Sequence, residues 1–339
     1  MTFAPSSKSN QMVLVTGASG MIGRAVTEKL LSQGLAVRAQ VRNRASFMKQ
    51  MESIIAQGNI EIQEADFTNI SEREFNRLAK GCCSIVHTAA LVHQPQAAFE
   101  AYELLNVRTT RQLAEIAAAC GVSTFVFLST ANVYGEGPFD YIDEEAQVKP
   151  KSPYAVSKAN SEQWLTSSNV FKRLVILRPP LVFGEGDRGN LIKIIKQIKL
   201  GRYFHIGSPP VKKSVIYSKD LASIITTCLS QLTDGTYLFN AANPQPIELK
   251  DLTERIAHCL GREATMTTVP RQLVEIGAKL AQVLLKERSP ITVSQIDRLT
   301  TTTTCSVARL VKATNFFPVF SLPDAIKNEI SWAESVGLL

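Results

Sequence analysis

VLVTGASGMIGRAV, residues 13 to 26, runs from a β-branched apolar strand through three spaced glycines into a helix-like segment. Each glycine has its own task at such a junction. Gly17 allows the tight turn, Gly20 lets the backbone approach a diphosphate, and Gly23 lets helix and strand close together. The N-terminus of the helix then faces the anion with unspent N–H groups and the positive end of its dipole. A glycine triplet also occurs in purely structural turns. Here it stands at the first strand–helix junction of the chain, and it is read as a dinucleotide seat.

The same alternation continues outward. LAVRAQVR (35–42), NIEIQEADF (59–67), SIVHTAAL (84–91), TFVFLST (124–130) and RLVILRPP (173–180) read as buried strands. Helix-like segments separate several of them, including a long one over AAFEAYELLNVRTTRQLAEIAAACG (97–121). Strand and helix in alternation imply right-handed crossovers and a parallel sheet covered on both faces. The expected class is α/β: a Rossmann-type doubly wound parallel sheet with a smaller C-terminal substrate lobe. The predicted division is a flexible N-terminus (1–10), an NAD(P)-binding domain (11–180) and a substrate-binding lobe (181–339), with some chain returning to the first domain. Ligands in such folds bind at the carboxyl ends of the strands.

Composition narrows the class. The 339 residues are 45% hydrophobic and 20% charged, an ordinary globular balance. A net charge of +7 suits an anionic small ligand, and no Lys/Arg run resembles a nucleic-acid stripe, so no nucleic-acid partner is expected. The six cysteines form no C-x-x-C pair and the four histidines show no ligand spacing, so no metal is expected. With no signal-peptide pattern, these features predict a reducing, cytoplasmic setting. No apolar run reaches membrane-spanning length. LVEIGAKLAQVLLK (273–286) is too short and carries charges, and it reads as a packed amphipathic helix or, less well, a membrane-surface contact.

The end of the second strand bears on the cofactor. An NAD site usually places a carboxylate there for the ribose hydroxyls, whereas this chain has Arg42, Asn43 and Arg44. A guanidinium suits a 2′-phosphate by charge and by its fork of donors. NADP is therefore favoured over NAD, against the plain alternative of a solvated turn. Asp66, after the third strand, either accepts from the adenine amino group or caps the next helix.

Tyr154 and Lys158 stand four residues apart and share one helix face after the fifth strand. A phenol is a poor base at neutral pH, so a neighbouring ammonium and a nicotinamide cation are expected to lower its pKa. Lys158 can also hydrogen-bond the nicotinamide ribose. Thr130 supplies a hydroxyl that can hold a substrate oxygen. Together with a hydride carrier these groups make a redox site for an alcohol or carbonyl.

TGASGMIG, ADFTN, VHTAA, LNVRTT, FLSTANVYG, SPYAVSK and LRPPLVFGEGD occur in this order. With them the chain resembles the extended short-chain dehydrogenase/reductase family of the NAD-dependent epimerase/dehydratase type. Within it the chain is most similar to nucleotide-sugar 4-epimerases and 4-ketosugar reductases. The resemblance implies that Tyr154 is the acid/base, Lys158 its partner and Thr130 the substrate-binding hydroxyl, with Ser129 the competing assignment. It implies cofactor contacts from Gly17, Ser19, Gly20, Met21, Ile22, Gly23, Arg42, Asp66, Phe67, Ala89, Ala90, Asn106, Tyr154, Lys158 and Pro179. In the second lobe it implies a nucleotide-sugar substrate meeting Asn190 and Leu191, with Lys213 and, more weakly, Arg298 on the phosphates. Lys213 stands where the family often has arginine, and an ammonium lacks the planar fork of a bidentate clamp; a plain surface lysine is the alternative. Thr130 is followed by Ala131 and Asn132 rather than an Asp-Glu pair, which argues against dehydration. The implied activity is hydride transfer at a ring carbon, carbon 4 in this reading, by a homodimer built on helices 98–120 and 153–168. Arg42 tilts the choice towards a reductase over an epimerase. The alternatives are a hydroxysteroid (3β-type) or other apolar-alcohol dehydrogenase, and a non-catalytic NADP-sensing regulator.

Overall fold

The computed structural model describes residues 11–339 apart from 57, 93–97, 208, 264–265 and 286–292. The predicted N-terminal segment 1–10 and His93 lie outside the described residues, as does the side chain of Asn190.

The chain opens as β1 (Met12–Thr16), α1 (Met21–Ser32), β2 (Ala36–Val41), α2 (Arg44–Ile55), β3 (Ile60–Glu64), α3 (Glu72–Ala79) and β4 (Cys82–His87). Short α4 (Phe99–Tyr102) runs through a π-helical turn (Glu103–Arg108) into α5 (Thr109–Ala119), then β5 (Thr124–Leu128). A 3-10 turn (Ala131–Tyr134), β6 (Phe139–Ile142), α6 (Pro153–Ser168), β7 (Arg173–Arg178) and β8 (Leu181–Phe183) follow. Next come α7 (Asn190–Lys199), β9 (His205–Gly207), β10 (Lys212–Lys213), β11 (Val215–Tyr217), α8 (Ser218–Gln231) and β12 (Gly235–Asn240). The chain closes with β13 (Ile247–Glu248), α9 (Leu249–Cys259), β14 (Thr268–Pro270), α10 (Arg271–Leu285), α11 (Val293–Thr300), β15 (Thr303–Cys305), α12 (Ala308–Thr314) and α13 (Leu322–Ser335).

The seven-stranded sheet has the order β12-β7-β5-β4-β1-β2-β3, and every pairing in it is parallel. This is the expected doubly wound Rossmann-type sheet. Its apolar strands explain it: β5 is buried at all five positions because helices cover both faces. One core, with Val15, Val37, Val86, Val126 and Val175, carries α1, α2 and α8. The opposite core, with Leu14, Ile85, Phe125 and Leu174, carries α3, α5 and α6. The winding reverses between β1 and β4, which opens the crevice where ligands bind in such sheets.

Strands from both halves of the sequence mix. β12, from beyond residue 180, forms one edge of the large sheet, while β6 joins the small sheet β13-β10-β15-β6. A separate core, with Phe183, Leu191, Ile195, Tyr217, Leu252 and Ile326, holds α7, α9 and α13 together.

Candidate active site

The glycine turn closes the crevice from below. Gly17 has φ +65°, and a Cβ there would lie 2.8 Å from the Ala89 backbone. A Cβ on Gly23 would lie 2.2 Å from the Gly17 carbonyl oxygen, so helix α1 can seat against the turn only without one. Gly20 is the N-cap of α1 and gives it no side-chain acceptor, and the first turn, with Met21 and Ile22, contains no acid. Ser19 and Met21 are at least partly exposed at this opening. A bare, uncapped helix start beside a cradle that a Cβ would fill fits the diphosphate of a dinucleotide.

Gln40 is a residue the sequence reading missed. It is 2% exposed on β2. Its Oε1 accepts from the Gly17 N–H at 2.8 Å, and its Nε2 donates to the Ala65 carbonyl at 2.7 Å. The turn is thereby pinned to the end of β3, where Asp66 and Phe67 follow. A polar residue inside an apolar strand pattern was the available signal.

At the end of β2 the two arginines diverge. The Arg44 N–H donates to Glu64 Oε2 at 2.8 Å and its Nη1 to the Ile62 carbonyl at 3.3 Å, so that side chain runs along β3. Asn43 caps α2 by accepting from the Ser46 N–H at 2.8 Å. Arg42 is exposed and close enough to help hold the Asp66 carboxyl below the ordinary range, after the larger effect of Thr68. Asp66 accepts from the Thr68 N–H at 2.9 Å, and the cap of α3 is Ser71. Of the two readings of Asp66, the helix cap is thus taken by another residue.

Above the turn, β4 ends in a fully buried histidine. His87 Nδ1 lies 2.7 Å from Thr16 Oγ1 and Nε2 lies 2.9 Å from Thr110 Oγ1. Thr110 already donates to the Asn106 carbonyl at 2.6 Å, so it accepts from Nε2–H and Nδ1 accepts from Thr16. Burial, with a smaller push from Lys158, lowers the imidazole pKa to about 3, which agrees with this neutral tautomer. Phe67 and Phe127 pack around the ring. The Thr88 hydroxyl donates to the Thr16 carbonyl at 2.7 Å, and the Ala89 N–H reaches Thr16 Oγ1 at 3.3 Å. Ala89 and Ala90 thus leave β4 across the glycine turn.

Asn106 is 1% exposed within the π-helical turn, a distortion that recurs at functional sites. Its Oδ1 accepts from the Leu91 N–H at 2.7 Å, and its Nδ2 donates to the Leu91 carbonyl at 3.1 Å and to Ser157 Oγ at 2.9 Å. Ser161 Oγ donates to the Asn106 carbonyl at 2.9 Å. The amide expected to face the cofactor spends its side chain here tying the loop after β4 to α6.

Helix α6 carries Tyr154 and Lys158. Ser152 caps it by accepting from the Ala155 N–H at 3.2 Å, and Pro153 occupies its first turn. Tyr154 is partly exposed, whereas Lys158 is 2% exposed. Lys158 Nζ lies 3.9 Å from the centroid of the Phe127 ring, on the strand that ends towards Thr130. Burial lowers the Lys158 pKa to about 7, with Glu162 pulling the other way. The Tyr154 phenol is pushed up by burial and by the Tyr102 phenol. In the protein by itself the shift of the Tyr154 phenol is therefore upward, with burial the larger cause. One turn further on, Glu162 accepts a fork of hydrogen bonds from Arg178, with Nη2 at 2.6 Å and Nε at 3.1 and 3.2 Å. Arg178 Nη1 also donates to the Tyr134 hydroxyl at 3.0 Å, so α6 is bolted to β7 and the 3-10 turn.

Thr130 is 5% exposed, and its Oγ1 accepts from the Asn132 N–H at 3.2 Å. The next N–H, of Ala131, donates to the Pro179 carbonyl at 2.9 Å, which fixes the loop. Among the described residues Ser129 Oγ is buried with no hydrogen-bond partner, an orphan of the kind that functional sites retain. The glycine turn, Thr88 with Ala89, and Ser129 with Thr130 follow the carboxyl ends of β1, β4 and β5.

The second-lobe residues are held by contacts of their own. Asn190 starts α7, and Leu191 is buried in the α7–α9–α13 core. Lys213 Nζ donates to the Thr301 carbonyl at 2.6 Å, the Arg298 carbonyl at 2.8 Å and Thr303 Oγ1 at 3.2 Å. Its three protons are matched by three protein oxygens, and burial lowers its pKa to about 8. The Arg298 guanidinium is exposed and 3.9 Å from Glu136. Among the described residues, no group of three His, Cys, Asp or Glu side chains could hold a metal ion, and no helix is long and apolar enough to cross a membrane.

Comparison with known proteins adds the family. The model of the NAD dependent epimerase/dehydratase family matches residues 13–242. The uncharacterized protein YbjS of Escherichia coli K12 is 27% identical over 96% of this chain and 99% of its own length. UDP-glucose 4-epimerase of Vibrio cholerae is 24% identical over 94% of each chain. Among solved structures, UDP-glucuronic acid 4-epimerase from Bacillus cereus in complex with NAD superposes with a TM-score of 0.77 at 20% identity, covering 96% of this chain and 99% of that one.

Proposed function

The chain belongs to the NAD dependent epimerase/dehydratase family, and from that premise we propose that it is an oxidoreductase or epimerase acting on a nucleotide-linked sugar. The reaction is hydride transfer at a ring carbon, carbon 4 in this reading. What supports it is that the bare α1 start follows β1, and that Thr130 follows β5, whose Phe127 lies against Lys158, in the same parallel sheet. The names of two relatives, a UDP-glucose 4-epimerase and a UDP-glucuronic acid 4-epimerase, support the substrate class.

The bound nicotinamide supplies the hydride chemistry. The chain's own residues do the rest. Tyr154 moves the proton of the substrate hydroxyl through its phenol oxygen, and the Thr130 hydroxyl orients that oxygen. Lys158 biases the phenol towards its ionised form whenever it carries a charge itself. Glu162 and Arg178 fix the helix that presents both groups, and Asn106 fixes its other side. The exposed Arg42 favours NADP over NAD. A homodimer through helices 98–120 and 153–168 belongs to the same proposal.

A second reading, an apolar-alcohol or hydroxysteroid dehydrogenase, draws on one specific observation. The lysine expected on the substrate phosphates is tied to three protein oxygens. Assaying UDP- and dTDP-linked sugars beside steroid and alkyl alcohols, each with NAD(H) and NADP(H), separates the two. Turnover of a nucleotide sugar is the expected result. Turnover of apolar alcohols alone would replace the first reading with the second.

A further inference from the structure

Helix α1 begins in an unusual electrostatic state. Its N-cap offers no acceptor and its first turn no acid, while Arg24 follows Gly23 directly. A cation at the positive end of a helix is unfavourable unless an anion sits there. Arg24 does not escape into solvent. Its Nη1 donates to Gln50 Oε1 at 3.3 Å, its Nη2 to the Glu185 carbonyl at 3.1 Å, and its Nε is buried with no partner among the described residues.

Glu185 belongs to a turn of the second lobe, Gly184–Asp187, closed by the Asp187 N–H donating to the Gly184 carbonyl at 2.9 Å. This turn lies on the start of α1. A Cβ on Gly186 would stand 1.8 Å from Arg24 Nη2 and 3.4 Å from Met21 Cα, and Gly186 has φ +100°. The far side of the turn is anchored as well. Glu185 accepts from Lys219 Nζ at 2.8 Å and from the Tyr217 hydroxyl at 2.6 Å.

We propose that the turn Gly184–Asp187 is a strap across the dinucleotide seat, buttoned to α1 by Arg24, and that it governs how long the protein holds its cofactor. This rests on the dinucleotide reading given above. An anion at the helix start offsets the charge of Arg24 and keeps the strap closed, and the closed strap in turn delays release. A slowly released cofactor is reused at the same site, which favours epimerisation over a reduction that needs exchange.

The test is the dissociation rate of NADH and of NADPH from the full chain, followed by nicotinamide fluorescence, with occupancy as purified read by native mass spectrometry. Arg24→Ala and Lys219→Ala are each expected to release the cofactor at least about tenfold faster, chiefly through the off-rate. Arg24→Lys should fall between them and wild type, because it keeps the charge and loses the fork. A folded Arg24→Ala protein that releases at the wild-type rate overturns the strap. Should that variant not fold, Lys219→Ala, changed at the outer anchor, decides on the same criterion. Failure of the wild type to bind either dinucleotide overturns the dinucleotide reading itself and the strap with it.

Discussion

Lys158 Nζ sits 3.9 Å from the centroid of the Phe127 ring, buried between α6 and β5. The ring face gives the ammonium some attraction, but less than water would. The nearest carboxylate on its own helix, Glu162, is taken by the Arg178 fork. When charged, the lysine therefore carries a cost that burial imposes and no carboxylate of its own helix offsets.

Replacing Lys158 with methionine should expose that cost. The folded pKa of about 7 lies below the ordinary 10.5, so the unfolded chain binds the extra proton between those values. The penalty is full below about pH 7 and fades as pH rises to about 10. Lys158→Met is expected to stabilise the cofactor-free protein by about 1–3 kcal/mol near pH 6, with the gap closing in alkali. Denaturant titrations at several pH values check this, and an unchanged or lower midpoint near pH 6 would contradict it.

Glu329 works in the opposite direction. It is fully buried on α13, and burial together with Asp187 pushes its carboxyl pKa from 4.5 to about 9. Folded, it keeps a proton that the unfolded chain loses above about pH 4.5. Its stabilising contribution is thus complete in acid and drains away up to about pH 9, by at most about 1.4 kcal/mol per pH unit. Glu329→Gln should flatten the stability profile across that window. A variant with the wild-type slope would place the titration elsewhere.

Arg42→Asp tests the cofactor preference. Swapping a guanidinium for a carboxylate should weaken NADP binding by about tenfold or more and improve NAD binding, since one fork of donors to a phosphate is worth about 1.5–3 kcal/mol. Titration of both dinucleotides reads it. An unchanged ratio returns Arg42 to a solvated turn.

Much of this was legible in the sequence, because local chemistry carried it. The glycine spacing, the alternation of apolar runs and the Tyr154–Lys158 interval are all short-range patterns, and the parallel sheet follows from them. What could not be read depends on partners far along the chain. Gln40 draws no notice within its strand pattern, and its role shows only with the Gly17 N–H opposite it. Lys213 looked like a surface or phosphate lysine, yet residues 85 to 90 positions away occupy its protons. The segment 97–121 was read as one helix, and where described it is α4, a π-helical turn and α5, because Asn106 turns inward to serve the loop after β4. The upward shift of Tyr154, from burial and from the Tyr102 phenol, likewise appears only once α4 packs against α6.

The most direct test of the central claim follows the hydride itself. Protein loaded with NADP or, in parallel, with NAD is mixed with a UDP-hexose carrying deuterium at carbon 4, in wild-type and Tyr154→Phe forms, and reduced nicotinamide is recorded by absorbance and mass. The wild type should form deuterated reduced cofactor, and Tyr154→Phe should do so at least about a hundredfold more slowly with cofactor affinity nearly unchanged. Equal rates in the two proteins would remove Tyr154 from the proton transfer, and no reduction with any nucleotide sugar would contradict the account.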